Sequence, residues 1–273
     1  MIAALLRSEY RKVVSTKGWW GLLIPVVLLA LLINVFGGVV ADLAATSAGT
    51  LPLMLASLAY TLALTALFAA VAGAVGAAGE FRHRTVTTTY LTAPGRGPVL
   101  VAKMLTSAAL GAVYALSAAV FAVLGGLLGQ SGTPFPPPGP LFGVIGIGVL
   151  VCALWAALGA ALGVAVGNQV GVLVGLLLYV LLGELLISLL LASNESGAVQ
   201  QITAYLPVNA GEVALYEIPA TELGGTGLGP EAAGAIAGVT GPLPWWGSLL
   251  VLTGWTAAAA ATAWWAGARR DIT

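Results

Sequence analysis

LFGVIGIGVLVCALWAALGAALGVAVGNQVGVLVGLLLYVLLGELLISLLLA, residues 141–192, decides how this chain folds. A bilayer core about 30 Å thick takes roughly 20 apolar residues as helix, so the run is far too long for one crossing. Its polar break is Gly167-Asn168-Gln169, which predicts a tight turn between two spans, 141–166 and 170–192. That turn sets the parity of the topology. With it the chain crosses an even number of times, and both termini share one side.

Composition places the rest of the chain in the same class. Charged residues are 7% of the 273, against about 25% in a typical soluble domain, and mean hydropathy is +1.02. Backbone groups in lipid must bond within their own segment, so spans are helical. Four more runs have the required length: 18–40, 52–77, 101–128 and 246–267. The first is too long for a cleaved signal core and is read as a retained helix. The expected fold is thus an all-α integral membrane protein of six transmembrane helices. It forms a single transmembrane domain over residues 1–273. Net charge is zero, which gives no pull toward nucleic acid, and the single cysteine, Cys152, excludes an internal disulfide.

The basic residues sort by loop. Arg7, Arg11, Lys12 and Lys17 precede the first span; Arg82, Arg84, Arg96 and Lys103 lie between the second and third; Arg269 and Arg270 follow the sixth. With six spans these segments share one side, the cytoplasmic side by the positive-inside rule. Asp42, Glu195, Glu212, Glu217, Glu222 and Glu231 fall on the other side, with no basic residue. The pairs Trp19-Trp20, Trp245-Trp246 and Trp264-Trp265 fall near expected membrane–water boundaries, where amphipathic rings settle.

Residues 1–17 follow a different pattern. Ile2, Leu5, Leu6, Tyr10, Val13 and Val14 recur at helical spacing with Arg7, Arg11 and Lys12 elsewhere around the wheel. This predicts an amphipathic helix on the inner membrane surface, in contact with lipid. The long extracytoplasmic segment, 193–245, carries a glycine-rich connector at 224–230. Short helices over 197–206 and 231–239 would lie at or dip into the outer interface. Gly159, Gly163, Gly167, Gly171 and Gly175 recur at every fourth position, as do Gly125 and Gly129. That spacing lets helix backbones approach closely, within the chain or between subunits.

Catalytic equipment is sparse. His83 is the single histidine, so a Ser–His arrangement could use only that residue, among arginines on the cytoplasmic side, while Asp42 and Asp271 fall on opposite sides, which excludes an aspartyl pair. One His and one Cys do not make an ordinary metal site. No G-x-x-x-x-G-K-S/T is present to cradle ATP phosphates. The chain reads as no enzyme, with no cofactor of its own.

Residues 79–96, GEFRHRTVTTTYLTAPGR, are the second feature that composition leaves unexplained. Three of the ten basic residues collect here between apolar runs. Gly79-Glu80 ends the second span. The threonines at 85 and 87–89 are weak helix formers, so a short helix over 85–91 needs outside support. Val86, Tyr90 and Leu91 give it an apolar edge, and Pro94-Gly95 stops it. Apolar residues on an inner loop suit a partner's groove.

Gly79-Glu80-Phe81-Arg82-His83-Arg84-Thr85, followed by Leu91, Pro94, Arg96 and Lys103, resembles the signature of ATP-binding-cassette permeases of the second exporter class. The layout is similar too: an amphipathic amino-terminal helix, six spans, and a long outer segment before the last. Arg84 stands where the family often has glycine, and Pro98 where a basic residue is common. The resemblance implies that 79–96 is a cytoplasmic coupling element docked on a separate ATPase subunit. Glu80, Phe81, Arg82, Arg84, Thr85, Val86, Tyr90, Leu91, Pro94, Arg96 and Lys103 would serve that contact. It implies a second permease subunit, identical or paralogous, and ATP and Mg on the partner ATPase. It also implies residence in a bacterial plasma membrane with both termini cytoplasmic, and export of a hydrophobic or amphipathic solute. A non-transporting membrane scaffold or assembly subunit is the alternative.

Glu184 is the one acidic residue deep in a span, and Ser188 lies one turn away on the same face. A charge there facing lipid costs about 2.5–3.5 kcal/mol. Two expectations follow: a structural polar contact between helices, or a place on the substrate path.

Overall fold

A computed structural model describes residues 2–48, 53–83, 85, 93, 95–129, 135–223 and 231–269. Within these residues the chain is helical. α1 (Ile2–Ser15) precedes α2 (Gly18–Ala48), α3 (Leu53–Arg82), α4 (Arg96–Gly129), α5 (Pro138–Val166) and α6 (Gln169–Ala192). Then come α7 (Gly197–Gln200), a 3-10 turn (Gln201–Tyr205), α8 (Pro207–Leu223), α9 (Glu231–Ala237) and α10 (Trp245–Arg269). Six of these, α2 to α6 and α10, are long and apolar enough to cross a membrane, which makes this a multi-pass membrane protein.

The turn that fixes the parity is present. Gly167 ends α5 in the left-handed region (φ 66°), where glycine carries no Cβ penalty, and its N–H bonds back to Gly163 O. Asn168 then caps α6 by accepting from Gly171 N at 3.0 Å. One end of the bundle collects this turn together with the charged segments. Arg82, at the close of α3, donates to Gln169 Oε1, and the Arg96 guanidinium reaches the Gly267 carbonyl near the close of α10. Arg269 lies over the Trp265 ring at 4.0 Å, a cation–π contact at that same end.

Small residues set the core. α3 and α5 are the most buried spans, lined by Ala69, Ala70, Ala74 and Ala78 against Ala156, Ala160 and Ala161. A Cβ on Gly159 would overlap the Ala70 carbonyl, and one on Gly73 would overlap that of Ala156. Gly125 and Gly129 make the same close approach to α2 at Leu31 and Val35. The four-residue glycine spacing therefore builds helix packing inside this chain at Gly125, Gly129, Gly159 and Gly163, while Gly175 borders open space. With little side-chain area to bury, polar contacts assist: Asn34 on α2 donates to Thr61 Oγ1 at 2.9 Å and accepts from Ser57 Oγ at 2.8 Å, both on α3.

The segment after α6 departs most from expectation. Short helices over 197–206 and 231–239 are present as α7 with its 3-10 turn and as α9. Between them, in a stretch that no expectation covered, lies the 17-residue α8. It is buried: Ala210, Val213, Ala214, Leu215, Tyr216 and Ala220 pack it against α3, α5 and α10. The approach to α8 is sunk as well. Trp255, ten residues into α10 and so about 15 Å along its axis, donates to Tyr205 O at 2.8 Å. The chain thus folds back into the bundle, turns at Leu206-Pro207 near the level of Glu184, and climbs out along α8.

Candidate functional site

Two polar centres occupy this apolar frame, one at the charged end and one within the bundle. At the charged end, α1 lies against α4 and brings Glu9 and Lys12 to the close of α3 and the start of α4. Lys103 Nζ lies 2.5 Å from Glu80 Oε1 and 3.0 Å from Glu9 Oε2; Lys12 Nζ lies 2.9 Å from Glu80 Oε1 and 2.5 Å from Glu9 Oε1. Two carboxylates and two ammonium groups alternate in a closed, neutral square. Glu9, Glu80 and Lys103 are buried. Partial burial works against the Lys12 ammonium, but the hydrogen bonds and charges of Glu9 and Glu80 outweigh it and raise its pKa above the ordinary lysine value. Removing one member of such a buried set strands a charge and costs about 3–5 kcal/mol. Glu80 Oε2 has no hydrogen-bond partner among the described residues.

Around this square lie the other residues of the 79–96 stretch. Phe81 is half-buried against the core. Arg82 and Thr85 are exposed, and the Thr85 N–H closes the helix end on Glu80 O at 3.0 Å. Arg96 is half-buried. Arg84, Val86, Tyr90, Leu91 and Pro94 lie outside the described residues. Glu80 and Lys103 thus face inward, binding the two sides of the excursion to each other and to α1, while Arg82 and Thr85 face outward.

Within the bundle, Glu184 is 2% exposed. Its two oxygens accept from the backbone N–H groups of Val208 (2.9 Å) and Asn209 (2.7 Å), the first free donors of α8. Pro207 before them has no N–H to satisfy, and its fixed φ suits a first helical turn. The first N–H groups of a helix have no partner within it, and its positive end favours an anion. The Asn209 side chain then donates to Ser188 Oγ and Thr203 O, both at 3.0 Å. A π turn, Tyr179–Gly183, directly precedes Glu184, with the Glu184 N–H bonding five residues back to Tyr179 O. The extra residue rotates the last part of α6 so that Glu184 and Ser188, alone on that stretch, turn inward. The structure therefore brings Glu184 and Ser188 together, as their spacing predicts, and sets both against the start of α8.

Glu9, Asn209 and Glu212 belong to these centres without any sequence motif to mark them. Glu9 carries a faint signal, as the single acid of a basic amphipathic helix, three residues before Lys12. Asn209 follows Pro207 at the head of α8, a signal readable only once α8 is known. The chain matches no protein-family model and no curated protein.

Proposed function

We propose that this chain is the permease subunit of an ATP-binding-cassette exporter of the second exporter class. It works as a dimer, with an identical or paralogous second subunit, on cassette ATPases that hold ATP and Mg. It sits in a bacterial plasma membrane with both termini and 79–96 in the cytoplasm and moves a hydrophobic or amphipathic solute outward. The observation that carries this reading is the ion-paired square of Glu9, Lys12, Glu80 and Lys103. It ties both flanks of the 79–96 excursion to α1. A push delivered to that excursion would reach α1, α3 and α4 together rather than dissipate in a loose loop. In this reading Arg82, Thr85, Val86, Tyr90 and Leu91 meet the ATPase, and Glu80 and Lys103 hold the base of the lever. Replacing Val86 and Leu91 together with Asp tests the contact. Burying unpaired carboxylates costs several kcal/mol, so a cassette ATPase that co-purifies with the wild-type chain should no longer do so with the variant, while membrane insertion is unchanged. Undiminished co-purification of the double variant would refute the docking.

A further inference from the structure

Glu212 stands one turn beyond Val208 on α8, in the wall of a cavity of about 150 Å³ bounded by α3, α5, α6 and α8. Tyr60 from α3, Trp155 from α5, and Val180 and Leu181 from the π turn form much of the remaining wall. Tyr60 and Leu181 are also exposed on the lipid-facing surface, so the cavity opens sideways toward the bilayer. Glu184, the nearby acid, has both oxygens engaged by α8. Glu212 has no hydrogen bond or ion pair among the described residues. Nor does the sequence offer a cation: from residue 104 to residue 268 there is no Lys, Arg or His.

An apolar, lipid-accessible cavity with two aromatic walls and one uncompensated carboxyl has a defined chemical preference. Carboxylate and ring faces both attract an organic cation, whereas an anion is repelled and a neutral amphiphile gains nothing from the acid. We infer that this cavity binds the charged end of a lipophilic cation, such as an alkylammonium amphiphile, with Glu212 as its counter-ion. The ammonium sits between Tyr60 and Trp155, and the alkyl chain leaves past Leu181 into the bilayer. Only the identification of this ligand as transported cargo rests on the exporter reading; the binding does not.

Burial, followed by the charge of Glu184, pushes the Glu212 carboxyl up to about 7. The titratable groups on the elements around it are Glu184 and Tyr179 on α6, Tyr60 on α3, Tyr216 on α8 and Cys152 on α5, none of them basic. A permanent cation therefore binds best once Glu212 is ionised.

The test uses the chain alone in phosphatidylcholine nanodiscs. The probes are a dansyl-alkyltrimethylammonium and the same dansyl chain ending in a hydroxyl, read by energy transfer from tryptophan. The cation should bind about tenfold tighter than the alcohol, a difference of about 1.4 kcal/mol, at about pH 8 and lose that preference at about pH 5.5. Glu212→Gln should remove most of the preference, leaving only the part the rings supply, and leave alcohol binding as it was. Equal binding of the two probes to the wild type at the higher pH overturns the inference, as does a preference undiminished in Glu212→Gln. Should that variant fail to fold, a wild-type preference constant across the two pH values overturns it equally. Binding as described without any ATP-driven movement in a reconstituted complex would remove the exporter and leave the site standing.

Discussion

Lys103 Nζ meets Glu80 Oε1 at 2.5 Å in a buried contact that joins the end of α3 to the first turns of α4. The segment between them is the 79–96 excursion, proposed above as the contact with an ATPase. Lys103→Met alone should lower stability by about 3–5 kcal/mol, because Glu9 and Glu80 then share only Lys12. Adding Glu80→Gln should restore part of the loss. A double-mutant cycle on thermal midpoints in detergent measures the coupling, and strict additivity would show that the contact carries no energy.

Stability should fall as pH rises from about 4.5 to about 7, the range between the ordinary and the raised value for Glu212. The folded state holds this proton more tightly than the unfolded one, so the associated stability is present below the ordinary carboxyl value and lost through the folded one. Glu212→Gln should remove that part of the pH profile. Lys12 does not interfere, since its contribution is lost only above the ordinary lysine value of 10.5. An unchanged profile in the variant would place the titration elsewhere.

Glu184→Leu should free the Val208 and Asn209 amides. Each buried donor left unsatisfied costs about 1–3 kcal/mol, so hydrogen exchange over 203–210 should accelerate while α3 and α5 stay protected. Glu184→Gln retains one acceptor and should show a smaller effect. If neither variant changes exchange at these amides, Glu184 does not hold α8 in place.

Gly159→Val should lower the thermal midpoint strongly, because the new side chain meets the Ala70 backbone, which has no rotamer to escape into. Overpacking costs about 1–3 kcal/mol or more. Gly175→Val, in open space, should be neutral in the isolated chain. Equal tolerance at both positions would contradict the packing between α3 and α5.

The apolar run at 141–192 revealed its turn because Gly167 and Asn168 are the residues a left-handed cap and an N-cap need, a local requirement that a sequence displays. Span count and the grouping of charged segments at one end followed from length and parity. α8 stayed hidden because Glu212, Glu217, Glu222 and Pro219 give it the composition of an outer loop; its burial depends on cavities between spans, which leave no local pattern. The partners of Glu80 were hidden for a similar reason. Glu9 lies 71 positions away in sequence, and only the docking of α1 on α4 brings it near. For Glu184, the cost of a charge facing lipid already requires a partner. That the partner is a backbone helix end, carrying no side-chain signature, could be seen only in three dimensions.

The most direct measurement is ATP hydrolysis by a cassette ATPase from the same organism, reconstituted in proteoliposomes with and without this chain. The rate should depend on the chain, and that dependence should be lost in the Val86→Asp, Leu91→Asp double variant. An ATPase rate indifferent to the chain, with the two proteins failing to co-purify, would contradict the exporter reading.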